Sequence, residues 1–284
     1  MALKEFPIPV HVYKTAPRAS GGTLRLAMRV QPGRRPDAPL LYVVHGGGWN
    51  ACDSSEVFMY PAMTEALTAD GWAIAAVDYR LVGTPDDTHF DEMFTDVLDG
   101  LEWLAVRRGP FRFDPGRVVV MGTSAGGHLA LMTGLAGRTF RPHLPVGFRL
   151  IVDHCGPTDL TDLSGFADNP FVGTYRGMVE ALAGAPLAPA QYAAFRRISP
   201  YHYLTPQSPP ILMLHGTADT IVPFQQSQKL AERCLSLGVP HCLLPITHAG
   251  HDMEQSELAG LAPRPSRDAA LRCAAAWARA YAAD

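Results

Sequence analysis

The sequence predicts an α/β fold in which a mostly parallel central sheet is covered by helices on both faces. Short apolar runs that suit strands alternate along the chain with longer segments whose apolar residues recur at helical spacing. Such βαβ repetition needs crossover connections, which place helices on both faces of a parallel sheet. The motifs richest in glycine, serine, histidine and aspartate follow strands, where sheets of this class bind their ligands.

Each element of this alternation has its own signal. Two strands open the chain at 10–13 and 24–30, and the second alternates apolar and polar residues. A helix near 91–107 carries a single apolar stripe for packing on a sheet, formed by Phe94, Val97, Leu98, Leu101 and Leu104. The other predicted elements are strands at 40–44, 73–77, 117–121, 148–153, 210–214 and 241–246 and helices near 57–69, after residue 124, 225–237 and 267–281.

We expect one domain over residues 1–284, with a small cap insertion at 157–205. A chain of 284 residues suits a single large α/β domain. Residues 157–205 interrupt the alternation, are rich in proline, glycine and alanine, and contain short helical pieces around 175–183 and 189–196. We interpret this stretch as a cap over the functional site, and the alternative is a surface loop without contact to a ligand.

Composition and charge argue against several kinds of partner. The 24 lysines and arginines against 27 aspartates and glutamates give a net charge of −3, with no block of like charges. Neither nucleic acid nor a membrane surface is therefore a predicted partner. The five cysteines lack the close spacing of a metal site, so reduced thiols are expected. We predict no cofactor and no metal, and the sequence gives no sign of the oligomeric state.

We expect no targeting signal in this sequence. The segment Met1–Pro7 has no apolar stretch after its charged residues, so no signal peptide is expected. Residues 198–218 contain no charged residue apart from histidines, but prolines interrupt this stretch and make a membrane helix there not credible. We therefore expect a cytoplasmic protein.

The pentapeptide GTSAG at 122–126 is the most informative motif. It follows the β-branched run 118–121 and precedes a helix-like segment, so the pattern G-x-S-x-G lies in a strand–turn–helix context. A serine that attacks a carbonyl must project from a tight turn, and glycines on either side allow the close approach that a Cβ would prevent. Ser124 is therefore the candidate nucleophile. The N–H of Ala125, at the start of the helix, is a candidate donor to an oxyanion.

A second motif, HGGGW at 45–49, follows the apolar strand 40–44. Phosphate-binding loops need Gly-Lys-Ser/Thr or G-x-G-x-x-G at the start of a helix, and neither is present here. The pattern instead matches the loop whose N–H groups complete an oxyanion hole. Gly47 and Gly48 are the candidate donors. Trp49 either lines the substrate pocket beside them or packs in the interior.

The candidate acid and base follow in the order serine, aspartate, histidine. Asp219 lies in a loop after strand 210–214, from which its carboxylate can reach over the sheet edge. His248 and His251 both follow the last strand, 241–246. We choose His251 as the base because it follows a glycine, where an imidazole can be oriented freely.

Three other interpretations concern the candidate acid and base: a zinc pair and two rival acids. His248, His251 and the aspartate that follows suggest a zinc pair, but such a pair needs a fixed helix and a further ligand. Asp153 and Asp159 also follow a strand and compete with Asp219 as the acid. We interpret both as structural because Asp219 lies in the better motif.

Together these motifs resemble those of the α/β-hydrolases. The resemblance rests on HGGGW, DYRL, GTSAGGH, GPTDL, SPYHYL and HGTADTIVP, which extend over residues 40–252. The sequence is most similar to esterases with a hormone-sensitive-lipase-like HGGG loop, and among them to the bifunctional feruloyl and acetyl-xylan esterase-like group. The resemblance implies that Ser124 is the nucleophile, Asp219 the acid and His251 the base. It also implies that the oxyanion hole is formed by Gly47, Gly48 and Ala125.

We therefore expect a serine esterase that acts on a small-molecule ester through an acyl-enzyme. The short cap lacks a long apolar run, so we expect acyl groups from acetyl to about butyryl. Three alternatives use the same motifs: a formamidase-like amidase, a thioesterase or acyl-transfer enzyme, and a non-catalytic ligand receptor on a hydrolase scaffold.

Overall fold

The computed structural model describes residues 8–17, 21–83, 88–166, 175–256 and 260–283. The segment Met1–Pro7, on which the expected absence of a signal peptide depends, lies outside the described residues. Residues 167–174 of the predicted cap lie outside them as well.

Eight strands form one mostly parallel sheet in the order β1-β2-β4-β3-β5-β6-β7-β8. Only the pairs β1–β2 and β2–β4 are antiparallel, and all other neighbours run parallel. This sheet confirms the predicted fold class. The strands are β1 Val10–Pro17, β2 Thr23–Gln31, β3 Ala38–Val44, β4 Ala73–Val77, β5 Phe113–Thr123, β6 Phe148–His154, β7 Ile211–Gly216 and β8 His241–Ile246.

Eight α-helices lie between or after the strands in the described ranges. They are α1 Pro61–Ala69, α2 Phe90–Val106, α3 Arg108–Phe111, α4 Ala125–Phe140, α5 Tyr175–Ala183, α6 Tyr192–Arg197, α7 Gln225–Leu237 and α8 Arg267–Tyr281. Short 3₁₀ helices occur at Ser54–Met59, Pro189–Gln191 and Pro200–Tyr203. Among the described residues, none of the helices combines the length and the apolar character needed to cross a membrane.

The central strands are buried because helices cover both sheet faces. All seven residues of β3 are buried, and successive residues contribute to two different apolar clusters. Leu40 and Tyr42 belong to the cluster on one face, whereas Leu41 and Val43 belong to the cluster on the other. This alternation follows from the period of two along a strand, and it explains why the sequence of β3 is apolar without interruption.

The helix predicted over 57–69 is divided in the structure. A 3₁₀ helix covers Ser54–Met59, and α1 begins only at Pro61. Proline is well tolerated in the first turn of a helix because the N–H that it lacks has no partner inside the helix there. The prediction missed this boundary because the apolar residues continue through it.

The parallel strands place the loops that follow β3, β5, β7 and β8 at one edge of the sheet. HGGGW, GTSAG, HGTAD and the two candidate histidines lie at or just after these strand ends, since parallel strands end at a common edge. DYRL and GPTDL follow β4 and β6 at the same edge, and SPYHYL lies in the predicted cap. The described part of the predicted cap contributes α5 and α6, which match the two helical pieces expected there.

Candidate active site

Ser124 occupies a sharp turn between the last residue of β5 and the first residue of α4. Its φ of 55° and ψ of −122° belong to a backbone conformation that residues with a side chain rarely adopt. A Cβ on Gly122 would lie 2.1 Å from the carbonyl oxygen of Gly126, and one on Gly126 would lie 2.1 Å from that of Val44. Close backbone packing on both sides therefore stabilises the strained serine.

The glycine-rich loop after β3 lies against this turn. Gly47 and Gly48 have φ angles of +89° and +58°, in the region that favours glycine. A Cβ on Gly47 would also lie 2.4 Å from the carbonyl oxygen of Ala51. Only glycine fits at Gly47. The backbone conformation of the loop therefore explains why the motif HGGGW has a glycine at this position.

The N–H groups of this loop have different environments. The N–H of Gly46 donates to Glu56 Oε2 at 2.6 Å and is therefore already used. Gly47 and Gly48 line the cleft that also contains Ser124. Ala125 lines the same cleft and begins α4, where the helix offers its N–H no internal partner.

His251 and Asp219 form a hydrogen-bonded pair beside this turn. His251 Nδ1 lies 2.8 Å from Asp219 Oδ2. The carboxylate side chain has no exposed surface, whereas 20% of the imidazole is exposed. The N–H groups of Ile221 and Val222 donate to Asp219 Oδ1 at 2.8 and 3.0 Å, and His215 Nε2 lies 3.2 Å from Oδ2. Every oxygen of the carboxylate is thus bound, which fixes the position of the imidazole.

These contacts also determine the ionisation of Asp219. Burial by itself would raise the pKa of the carboxyl group, because it disfavours the charged form. Hydrogen bonds from His215 and His251 outweigh that effect and hold the pKa of Asp219 below its usual range. The carboxylate therefore stays charged at neutral pH and can stabilise a protonated imidazole.

His248 has a different position. Its backbone N–H donates to Thr217 Oγ1 at 3.2 Å, and its carbonyl oxygen accepts from the N–H of Ser256 at 3.1 Å. His248 is not among the residues that line the cleft with Ser124. Of the two candidate histidines, His251 is the one that contacts an aspartate and lines that cleft.

The two rival acids contact other groups. Asp153 is buried, and its Oδ1 accepts from the N–H of Gly156 at 2.9 Å. Burial raises the pKa of Asp153 to about 8, which favours the neutral form. Asp159 accepts from Thr161 Oγ1 at 2.5 Å and lies 3.6 Å from His202 Nε2. Neither carboxyl group contacts His251 in the described part of the chain.

The candidate site opens into a cleft of about 710 Å³. Ser124 and His251 both line it, together with the glycine-rich loop and with Tyr175 and Met178 of α5. Its wall carries an acidic excess: the charged side chains are those of Asp53, Glu56, Asp252 and Arg267. The cleft is therefore lined by the candidate catalytic residues, by apolar side chains of the predicted cap and by mainly acidic charged groups.

Trp49 contributes little surface to this cleft. The residue lines it but is only 1% exposed. Its indole N–H donates to His128 Nδ1 at 3.2 Å, and the two rings meet edge to face with centroids 5.4 Å apart. The indole therefore mainly supports the glycine-rich loop from within the interior, which was the second of the two roles expected for it.

One group in the described chain has a geometry that could hold a metal ion. Ligand atoms of Cys155, Asp219 and His251 lie within 4.8 Å of one another. The Cys155 thiol donates to the carbonyl oxygen of His251 at 3.2 Å, and burial raises the pKa of that thiol well above its usual range. Because the thiolate is the metal-binding form, this environment disfavours coordination. His248, the other histidine of the alternative zinc interpretation, is not in this group.

Sequence reasoning missed several residues that support the site. Glu56, Tyr60, Thr123 and His154 form a chain of hydrogen bonds beside Ser124. These residues come from three separate parts of the chain, and no periodicity or motif connects them. His215 was visible in the motif HGTAD, but its contact with Asp219 depends on how the following loop turns.

Comparison with known proteins adds three findings. The family model BD-FAE matches residues 26–234. Esterase LipC of Mycobacterium tuberculosis is 27% identical over 224 residues, which cover 76% of this chain and 53% of LipC. The probable carboxylic ester hydrolase LipM of the same organism is 27% identical over 236 residues, covering 78% of this chain and 52% of LipM. The chain thus spans about half the length of these curated relatives.

Solved structures share the fold. A truncated carbohydrate esterase from gut microbiota superposes with a TM-score of 0.73 at 18% identity and covers 97% of both chains. Esterase 2 of Thermogutta terrifontis, phosphonylated by sarin, gives a TM-score of 0.75 at 20% identity. The alignment covers 98% of this chain and 96% of the esterase chain. These similarities establish an α/β-hydrolase architecture.

Proposed function

The chain belongs to the BD-FAE family, and we propose that it is a serine hydrolase that cleaves short-chain carboxylic esters through a covalent acyl-enzyme. Ser124 is the nucleophile, His251 the general base and Asp219 the acid that orients the imidazole. Gly47, Gly48 and Ala125 supply the N–H groups that bind the oxyanion.

The reaction has two symmetrical halves. Ser124 Oγ attacks the ester carbonyl carbon while His251 Nε2 takes the hydroxyl proton. The tetrahedral oxyanion is stabilised by the three N–H groups, and its collapse breaks the bond to the alcohol, which leaves with the proton from His251. Water then attacks the acyl carbonyl carbon while His251 takes its proton, and collapse of the second tetrahedral intermediate breaks the bond to Ser124 Oγ. His251 returns the proton to Oγ, and the carboxylic acid product leaves. Asp219 remains charged throughout and stabilises the imidazolium in each half.

One observation carries this proposal. His251 donates through Nδ1 to a buried, charged Asp219, which leaves Nε2 to exchange protons in the cleft that Ser124 also lines. A neutral imidazole with one nitrogen held in this way has the tautomer that a general base needs. The strained backbone of Ser124 supports the same assignment.

The short-chain preference is supported by the predicted cap. Met178 approaches the glycine-rich loop so closely that a Cβ on Gly48 would lie 3.3 Å from its sulfur. A side chain at this position limits the depth available to an acyl group. The relatives include esterases and a carbohydrate esterase, which supports an ester substrate.

An active-site label and a serine variant test the proposal. A fluorophosphonate should modify Ser124 alone, and Ser124→Ala should lose roughly 10⁴-fold or more in kcat on p-nitrophenyl acetate. Ser236→Ala, on the exposed surface of α7, serves as the control and should keep full activity. Labelling at another serine, together with an active Ser124→Ala, would refute the mechanism.

A panel of esters, formyl amides and thioesters identifies the type of bond that the enzyme cleaves fastest. If none of these compounds were hydrolysed, the result would favour a non-catalytic receptor.

A further inference from the structure

Glu56 lies directly behind the glycine-rich loop and uses both carboxylate oxygens. Oε2 accepts from the N–H of Gly46 at 2.6 Å, and Oε1 accepts from the Tyr60 hydroxyl at 2.5 Å. Burial raises the pKa of Glu56, while the hydrogen bonds from Tyr60 and Gly46 act in the opposite direction. The mechanism proposed above gives this partly buried acid no role.

The contacts around Gly46 determine how the next peptide is oriented. The Tyr79 hydroxyl donates to the carbonyl oxygens of His45 and Gly46, at 2.8 and 3.1 Å. Because a trans peptide directs its C=O and N–H to opposite sides, a bound Gly46 carbonyl fixes the direction of the Gly47 N–H. Glu56 holds the preceding peptide from its other side through the Gly46 N–H. The loop cannot rotate without breaking one of these bonds.

The same carboxylate is connected to the serine turn. The Tyr60 hydroxyl also contacts Thr123 Oγ1, and Thr123 is the residue before Ser124. Thr123 Oγ1 in turn lies 2.9 Å from His154 Nδ1. The backbone carbonyl of His154 accepts from the N–H of Ser124 at 2.8 Å. A continuous chain of hydrogen bonds therefore extends from the glycine-rich loop to the serine.

We propose that Glu56 is a positioning residue that holds the oxyanion-binding loop and the nucleophile turn in a fixed relation to each other. This inference rests on the proposed function. Glu56 does not touch the reacting atoms and acts through the Gly46 peptide on one side and through Tyr60 and Thr123 on the other.

This role concerns the transition state more than the bound ester. An oxyanion forms only during attack, so a displaced donor lowers kcat while it leaves binding of the neutral ester nearly unchanged. Loss of one oxyanion donor typically reduces kcat about 10²–10³-fold. A variant whose loop is loosened but keeps its N–H donors should show a smaller reduction in kcat.

Three variants and a control test the inference. Glu56→Ala should lower kcat on p-nitrophenyl acetate about 30- to 100-fold with KM changed less than about threefold. Glu56→Gln should stay within about fivefold of the wild type, because its amide oxygen accepts from Gly46 and its amide N–H can donate to Tyr60. Tyr60→Phe removes the hydroxyl that joins Glu56 to Thr123 but leaves the bond from the Gly46 N–H to Glu56, and it should lower kcat about tenfold. Glu65→Ala removes an exposed acid on the neighbouring α1 and should have no effect.

The rate of inactivation by paraoxon gives a second measurement. Phosphorylation of the serine also places negative charge on an oxygen in the oxyanion hole, so its rate constant should fall in step with kcat/KM in each variant. A purely structural role would instead reduce the fraction of active sites and leave the rate constant of the folded fraction unchanged. Circular dichroism melts accompany each variant.

Clear outcomes would overturn the inference. Unchanged kcat in Glu56→Ala, or a loss confined to KM, would mean that Glu56 only shapes the cleft. If Glu56→Ala does not fold, Tyr60→Phe decides, and wild-type kcat there would refute the connection to the serine turn. An active Ser124→Ala would instead refute the proposed function itself, so the two failures are distinguishable.

Discussion

The edge of the sheet and the predicted cap are built in different ways. At the edge, backbone atoms pack so closely that single added carbons at Gly122, Gly126 or Gly47 would lie within 2.4 Å of a carbonyl oxygen. In the cap, α5 lines the cleft with two residues, Tyr175 and Met178. The edge thus fixes the geometry of the reaction through its backbone, whereas the cap can change selectivity one side chain at a time.

Asp219 at the edge and Tyr175 in the cap differ in their hydrogen bonding. Both oxygens of Asp219 at the sheet edge have hydrogen-bond partners. The Tyr175 hydroxyl is buried and has no hydrogen-bond partner among the described residues, although its ring stacks on Phe166 with centroids 3.8 Å apart. A buried polar group without a partner is energetically unfavourable. This contrast concerns Asp219 and not the whole edge, because the buried atoms Asp153 Oδ2 and His154 Nε2 also have no hydrogen-bond partner among the described residues.

The largest test of this contrast removes the acid and the base. His251→Ala should lower kcat roughly 10⁴-fold and Asp219→Asn roughly 10³- to 10⁴-fold, since the first removes the proton acceptor and the second leaves the wrong tautomer. His248→Ala is the matched control in the same loop and should cost less than about threefold. Steady-state kinetics on p-nitrophenyl acetate measure all three. An inactive His248→Ala beside an active His251→Ala would reverse the assignment.

A glycine pair tests whether the edge is as tightly packed as the distances indicate. Gly126→Ala forces a carbon against the Val44 and His45 carbonyl oxygens and should lower the free energy of unfolding by about 2–3 kcal/mol, with a large loss of activity. Gly109→Ala introduces the same methyl group where no atom lies within 4 Å of it, and should be neutral or stabilising by up to about 1 kcal/mol. Urea denaturation compares the two. Equal stabilities would mean that the turn relaxes easily.

The fold and the positions of the candidate reactive residues followed from the sequence because their signals are local. A strand such as β3 is apolar throughout because both of its faces are buried, and the glycines around Ser124 are required by backbone contacts within a few residues. Glu56 could not be predicted, because its partners Gly46 and Tyr60 meet it only through the path of the connecting 3₁₀ helix. The boundary at Pro61 was missed because apolar residues continue across it.

The smallest effect is expected in the cap, where single side chains act on substrate size. For p-nitrophenyl esters of two to sixteen carbons, kcat/KM should be highest at two to four carbons and then fall, since each methylene without a pocket forgoes roughly 0.8 kcal/mol of burial, or about fourfold. Met178→Ala removes the side chain nearest to Gly48 and should extend the preference by one or two methylenes. Tyr192→Ala, an exposed cap position outside the cleft, should leave the series unchanged. A wild-type kcat/KM that rises steadily beyond eight carbons would mean that the cap forms a lipid tunnel, and a lipase would then replace the short-chain esterase.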